Sequence, residues 1–290
     1  MAPGPDAGPI PVRTYPAVAE AEATRATAAL FAEIRRALGV PVVNLIWRHL
    51  ATWPGGLEWA WGAVAPLYRS GAAGREGAAL LRALPLPDAP GWSRADLRAA
   101  GVDEAAERTV RRVLDSYNRS NAMNLVALTA LARRLRDGGD SEARGAAPAE
   151  TGAAGGPPMA GALPALLAPA EMAPATAELV TRLDGFGEVG EGRIPASMYR
   201  HLAHWPGFLA LAATRIAPLH EDGRLTGLIA AAGEHAGAAA ERVAGALAMP
   251  GPPPPAPTRV AVAAALAEFT SSVIAKMVPI CALLRRAMPE

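Results

Sequence analysis

Apolar residues recur every three or four positions through most of the chain. In AEATRATAALFAEIRRAL (21–38), Leu30, Ile34 and Leu38 lie four apart with Phe31 beside them, which predicts a helix with one buried face. Gly39 and Pro41 stop it. VVNLIWRHLATW (42–53) follows as a short helix, opened by Pro41 and closed by Pro54-Gly55-Gly56. LEWAWGAVAPLY (57–68) puts Leu57, Trp61 and Val64 on one face, and 70–84 keeps a helical pattern. PLPDAPGW (85–92) is a turn region, after which Ser93 can cap a new helix. The strongest pattern runs over 105–136, with Val110, Val113, Leu114, Tyr117, Leu128 and Leu131 on one stripe. Asn121 and Asn124 fall on that same stripe. A buried amide without partners costs about 1–3 kcal/mol, so two of them call for either interhelical hydrogen bonds or a polar pocket wall. From 137 the pattern dissolves into Gly, Pro and Ala, and it resumes at Pro174.

The chain also repeats itself. RHLATWPGG (48–56) returns as RHLAHWPGF (200–208), 152 positions on. Ala65-Pro66-Leu67 returns as Ala217-Pro218-Leu219, and the helix Tyr117–Arg134 aligns with Phe269–Arg286, in the same register. Three separated blocks in one register predict an all-α protein of two homologous helical domains forming an intramolecular pseudo-dimer. The domains are 1–136, with an extended N-terminus, and 174–290. Residues 137–173 are a Gly/Pro/Ala-rich linker, mobile at least in its first half. The period is too long for a solenoid. Pockets favour domain interfaces, so the seam between the copies is the expected binding site. Residues kept in both copies, such as Trp53/Trp205 and Pro54/Pro206, then serve the shared fold. Those that differ on a shared face, Asn121 against Val273 and Asn124 against Lys276, are candidates for the site.

Composition narrows the chemistry. With 28 basic and 27 acidic residues and 5% aromatics, the chain offers no electrostatic or stacking case for nucleic acid or an anionic membrane surface. No apolar run is read as a signal or a membrane span, so a cytoplasmic protein is expected. Cys281 is the single cysteine and lies in an apolar helix, as a small buried hydrophobe would. The five histidines show no metal-binding spacing, so no metal and no cofactor are expected. GFGEVGEG (185–192) reads as a flexible loop rather than a phosphate loop, having no strand before it. Ser197 has no recognisable His/Asp pairing.

The segments 40–61 (VPVVNLIWRHLATWPGGLEWAW), 110–131 (VRRVLDSYNRSNAMNLVALTAL) and 194–209 (IPASMYRHLAHWPGFL) give the chain a resemblance to the group I 2-haloacid dehalogenases, the family acting on D- and L-2-haloacids. The resemblance implies a helical two-copy pseudo-dimer with the active site between the copies. It also implies an aspartate and an asparagine that hold a water, which attacks the halogen-bearing carbon with no covalent enzyme intermediate. The family asparagine matches Asn121. The aspartate follows Pro-Ala-Ser, here Pro195-Ala196-Ser197, and its position is Met198. A thioether is only a weak acceptor and cannot be a general base. Substrate-binding positions carried over by the resemblance are Val42, Leu45, Asn124, Ala196, Ser197, Leu266, Phe269, Thr270 and Val273. Val42 and Leu45 stand where the family has aromatics, and Asn124 and Leu266 where it has tyrosines. As replacement bases, Glu268 is expected to point off the stripe into solvent. His201, a turn from Met198, has a twin in His49 that argues for a scaffold role. Lys276 either meets a substrate carboxylate or snorkels to water.

The expected function is a divergent dehalogenase-like protein that binds a small carboxylic acid at the seam. The alternatives are a non-catalytic small-molecule binder on the same scaffold, or another hydrolytic or lyase reaction using Asn121 with a replacement base. Further association into a homodimer is left open.

Overall fold

The computed structural model describes residues 15–137, 158–188, 194–248 and 252–290, and all regular structure among them is helical. The first half carries α1 (Arg25–Leu38), α2 (Leu45–Leu50), α3 (Gly56–Arg69), α4 (Ala72–Ala83), α5 (Arg94–Ala99) and α6 (Glu104–Arg136). The second carries α7 (Pro174–Gly185), α8 (Ser197–Leu202), α9 (Pro206–Glu221), α10 (Arg224–Val243), α11 (Ala256–Ser271) and α12 (Val273–Ala287). The Gly/Pro-rich stretch expected to be mobile (138–157), the chain start and half of the GFGEVGEG segment (189–192) lie outside the described residues. The rest of the linker region is laid against the body of the protein. Met159 N–H bonds to Gly39 O at 3.0 Å, and Arg200 reaches Leu167 O at 2.6 Å.

Local chemistry sets the helix ends. Thr24 accepts from Thr27 N–H to start α1, and Gly39 (φ 65°) ends it in the left-handed conformation that glycine adopts without steric cost. Ser93 and Asp96 close a reciprocal capping box on α5, and Asp103 caps α6 through Ala106 N–H. The helix expected over 42–53 is shorter, because Asn44 is its N-cap and the turn begins after Leu50. Leu30 is only partly buried; Phe31, Ile34 and Leu38 form the buried face of α1.

At the centre, α6 packs against α12, α4, α10 and α11, while α4 and α10 also touch one another. The short helices cross over: α2 packs on α11, and α8 packs on α6. The helical stretch 256–287 is not continuous. It breaks at Ser272 (φ −121°, ψ −102°), whose hydroxyl turns back onto Glu268 O at 2.6 Å. Residues 256–287 together are apolar enough to cross a membrane by composition, yet half of that window is packed inside the protein. Its hydropathy is that of a core element.

The two Trp-Pro-Gly turns differ in detail. Gly55 takes φ 74°, a left-handed conformation, before α3 begins. In the second turn Pro206 already opens α9, so Gly207 lies within the helix. There a Cβ would collide with the Ala100 carbonyl at the end of α5. Gly207→Ala is therefore expected to destabilise by about 2–3 kcal/mol, read as a lowered urea midpoint. An unchanged midpoint would mean α5 and α9 can separate at no cost.

Candidate functional site

A cavity of about 30 Å³, room for a water, is lined by Asn44, Leu45 and Ile46 at the start of α2, Tyr117 and Asn121 of α6, Pro195–Met198 at the start of α8, Phe269 of α11, and Val273, Ile274 and Met277 of α12. Of the positions singled out in the sequence, Asn121, Met198, Leu45, Ala196, Ser197, Phe269 and Val273 meet here. Val42, Asn124, Leu266 and Thr270 do not line it. Asn124 is fully buried and accepts Tyr68 O–H at 2.8 Å, tying α6 to α3, while Thr270 bonds back to Leu266 O within α11.

The polar side chains of the wall form two networks. In the first, Asn44 Nδ2 donates to Ser120 Oγ (3.0 Å) and to Asn121 Oδ1 (3.3 Å). Asn121 Nδ2 reaches Cys281 Sγ at 3.6 Å, and Cys281 in turn donates to Met198 Sδ at 3.4 Å. The two positions that the resemblance pairs across a water are thus joined through a thiol. Burial pushes that thiol up to about 12, so it stays protonated and is not a nucleophile.

In the second network, Arg48 donates to Ser197 Oγ at 3.3 Å, and Tyr117 Oη lies 3.0 Å from His201 Nδ1. Burial raises the Tyr117 phenol far above its usual value, against the opposing pull of Arg48. Burial, with Arg48 and Arg200 adding positive charge, lowers His201 to about 4. His201 is therefore neutral near pH 7, with its Nδ1 in hydrogen-bond contact with the Tyr117 hydroxyl. The residue is 6% exposed. In the unfolded chain the imidazole titrates near 6.5, so the unfolded state takes up its proton first. Stability is full above pH 6.5, falls by on the order of 3 kcal/mol as pH drops to about 4, and levels below. Urea titrations of the protein and of His201→Asn across this range should diverge; parallel curves would remove His201 as the source.

Across the cavity the pattern is echoed without the hydroxyl. His49 stacks on Phe269 (centroids 5.5 Å, 25°), and its Nδ1 turns to Pro16 O at 2.6 Å. Two further expectations are corrected. Glu268 is not simply solvated, since it accepts the Tyr15 hydroxyl. Lys276 does not snorkel: it is 2% exposed, donates to Asp184 O at 2.8 Å and pairs with Glu188. Its partners lie on the segment whose Asp184 carboxylate accepts Ala196 N–H at 2.9 Å, so it braces the start of α8 from behind.

Among the described residues no group of His, Cys, Asp and Glu could hold a metal ion. A wider surface cleft of about 520 Å³ lies between loop 87–92, α9 and the end of α12. Its arginines are already engaged, Arg286 with Asp88, Arg224 with Asp222 and Arg215 with Pro90 O.

The sequence reading missed Asn44, Ile46, Tyr117, Ile274 and Met277 as wall residues. In the sequence Tyr117 stands out as part of an apolar stripe and as the position aligned with Phe269. For Asn44 the available signal was an amide directly ahead of a short apolar helix.

No family model matches the chain. It is 32% identical over 114 residues to an (R)-2-haloacid dehalogenase of Pseudomonas putida, a match covering 38% of this chain and 36% of that protein. It is 31% identical over 209 residues to a configuration-inverting 2-haloacid dehalogenase of Alcaligenes xylosoxydans xylosoxydans, covering 68% of this chain and 66% of the relative. The chain thus spans about a third and just under two thirds of the length of these two curated relatives. Among solved structures, a D-2-haloacid dehalogenase mutant superposes with a TM-score of 0.75 at 16% identity, and a D-2-haloacid dehalogenase complex with L-LA with 0.74 at 16%, each match covering 97% of both chains. The fold is that of these enzymes, and on its sequence relatives the chain belongs to the 2-haloacid dehalogenase family.

Proposed function

We propose that the protein binds a small 2-substituted carboxylic acid in this cavity and does not activate water with a carboxylate there. The observation that carries the reading is Met198, 1% exposed, on the cavity wall and joined to Asn121 through Cys281, with no Asp or Glu among the lining residues. Positive charge from Arg48 and Arg200 reaches Tyr117 and His201 and favours an anion. A three-carbon acid needs more room than a water. Met198 and Met277, unbranched and flexible, are the wall residues best suited to yield it.

We read the cavity as the seam of an intramolecular pseudo-dimer. Support comes from the element bounds: α2 and α8 start and end 152 positions apart, as do the starts of α4 and α10 and of α6 and α11. Asn44/Ala196, Leu45/Ser197, Ile46/Met198, Tyr117/Phe269 and Asn121/Val273 all line the cavity in the same register. On this reading each short helix closes the site of the opposite copy, and the copies differ where polarity is needed. A cytoplasmic location belongs to the same proposal.

The test is chloride release from D- and L-2-chloropropionate, together with thermal shift by short 2-substituted acids. Expected are stabilisation by acids and no release above background. Release by the unsubstituted protein would overturn the absence of a base, and no stabilisation by any acid would overturn the binding role.

A further inference from the structure

Asn44 stands at the N-cap position of α2, on the cavity wall, and is 5% exposed. Both protons of its Nδ2 are spent, on Ser120 Oγ and Asn121 Oδ1. Its Oδ1 is buried and has no partner among the described residues. The other polar groups of the wall are committed. Asn121 accepts from Asn44 and donates to Cys281, Tyr117 is bonded to His201, and Ser197 accepts from Arg48. The unspent hydrogen-bonding capacity of the amide pair is therefore an acceptor. A buried acceptor left unpaired is costly, so a ligand that brings a donor to it gains over one that does not.

We infer that Asn44 is a binding residue of this site and that its carbonyl selects acids carrying a hydrogen-bond donor at C2: 2-hydroxy acids ahead of 2-halo or 2-oxo acids. The inference deepens the proposed function and rests on its acid-binding reading. A C2 hydroxyl and a C2 chlorine occupy the same corner of a three-carbon acid, but only the hydroxyl donates. Chlorine presents lone pairs to an oxygen that already has its own. A keto oxygen does the same. Asn44 makes no side-chain cap bond to α2, so changing its side chain leaves the helix start intact.

Calorimetric titration with lactate, 2-chloropropionate and pyruvate at one pH tests this. For the unsubstituted protein, lactate is expected to bind roughly tenfold to a hundredfold more tightly than either of the others. In Asn44→Leu the three are expected to bind alike. Equal affinities in the unsubstituted protein, or tighter binding of pyruvate, overturn the role of Asn44 without reference to any variant. A lactate preference that persists in folded Asn44→Leu also overturns it. Failure of all three to bind instead overturns the acid-binding reading itself.

Discussion

Met198→Asp is expected to give the protein chloride release from 2-chloropropionate about 10²–10⁴-fold above that of the unsubstituted chain. That gain corresponds to roughly 3–5 kcal/mol of barrier. The position is on the cavity wall, one residue after the Ser197 hydroxyl that Arg48 holds. A carboxylate there faces two opposing influences. Burial disfavours its charge, while Arg48 and Arg200, which already depress His201, favour it. Aspartate is also shorter than methionine, so the substitution opens space beside Asn121 in which a water can stand. The reaction then follows a simple balance: the water oxygen bonds to C2, the carbon–chlorine bond breaks with its electron pair leaving as chloride, and the water's proton passes to the introduced carboxylate. Met198→Asn has matching size and no basicity, and should stay silent. If Met198→Asp folds and binds 2-chloropropionate yet releases no chloride, the missing base is not what separates this chain from an active hydrolase.

The largest stability loss is expected from Lys276→Met, about 3–5 kcal/mol in urea unfolding. Lys276 is 2% exposed and the Glu188 side chain it pairs with is 9% exposed, so removing the ammonium strands a buried carboxylate. The Asp184 carbonyl loses its donor in the same step. Adding Glu188→Gln should recover part of the loss, because the uncompensated charge is then gone. Less than about 1 kcal/mol lost in the single variant would place the pair in water in solution.

How much of this was legible depends on how far apart the partners lie. Helix ends written in adjacent residues were readable: Ser93 caps α5 as expected, and α6 begins one residue before its predicted start. The break at Ser272 was not, because no Gly or Pro announces it. The burial of His201 and Lys276 was also hidden. Charged and titratable residues default to the surface unless a partner is known, and theirs lie 84 and 88 residues away. Asn44 illustrates the same limit. Its amide looks like an ordinary cap, and its meaning comes from Ser120 and Asn121, 76 and 77 positions later. The family resemblance supplied Asn121, Met198 and Ser197 directly. It could not show that Asn124 turns away to Tyr68.

The packing of α12 on α6 also fixes when the site comes into being. Tyr117 and Asn121 are in place on α6 long before the helix that covers them has been made, and Cys281 follows Asn121 by 160 positions. At a synthesis rate of about 5–20 residues per second, the buried face of α6 waits on the order of ten seconds for its cover. During that interval the Asn121 side chain lacks the Cys281 partner it meets in the finished fold. A chain interrupted at Ser272 would thus carry most of the residues of the cavity wall but lack Val273, Ile274 and Met277, which complete it.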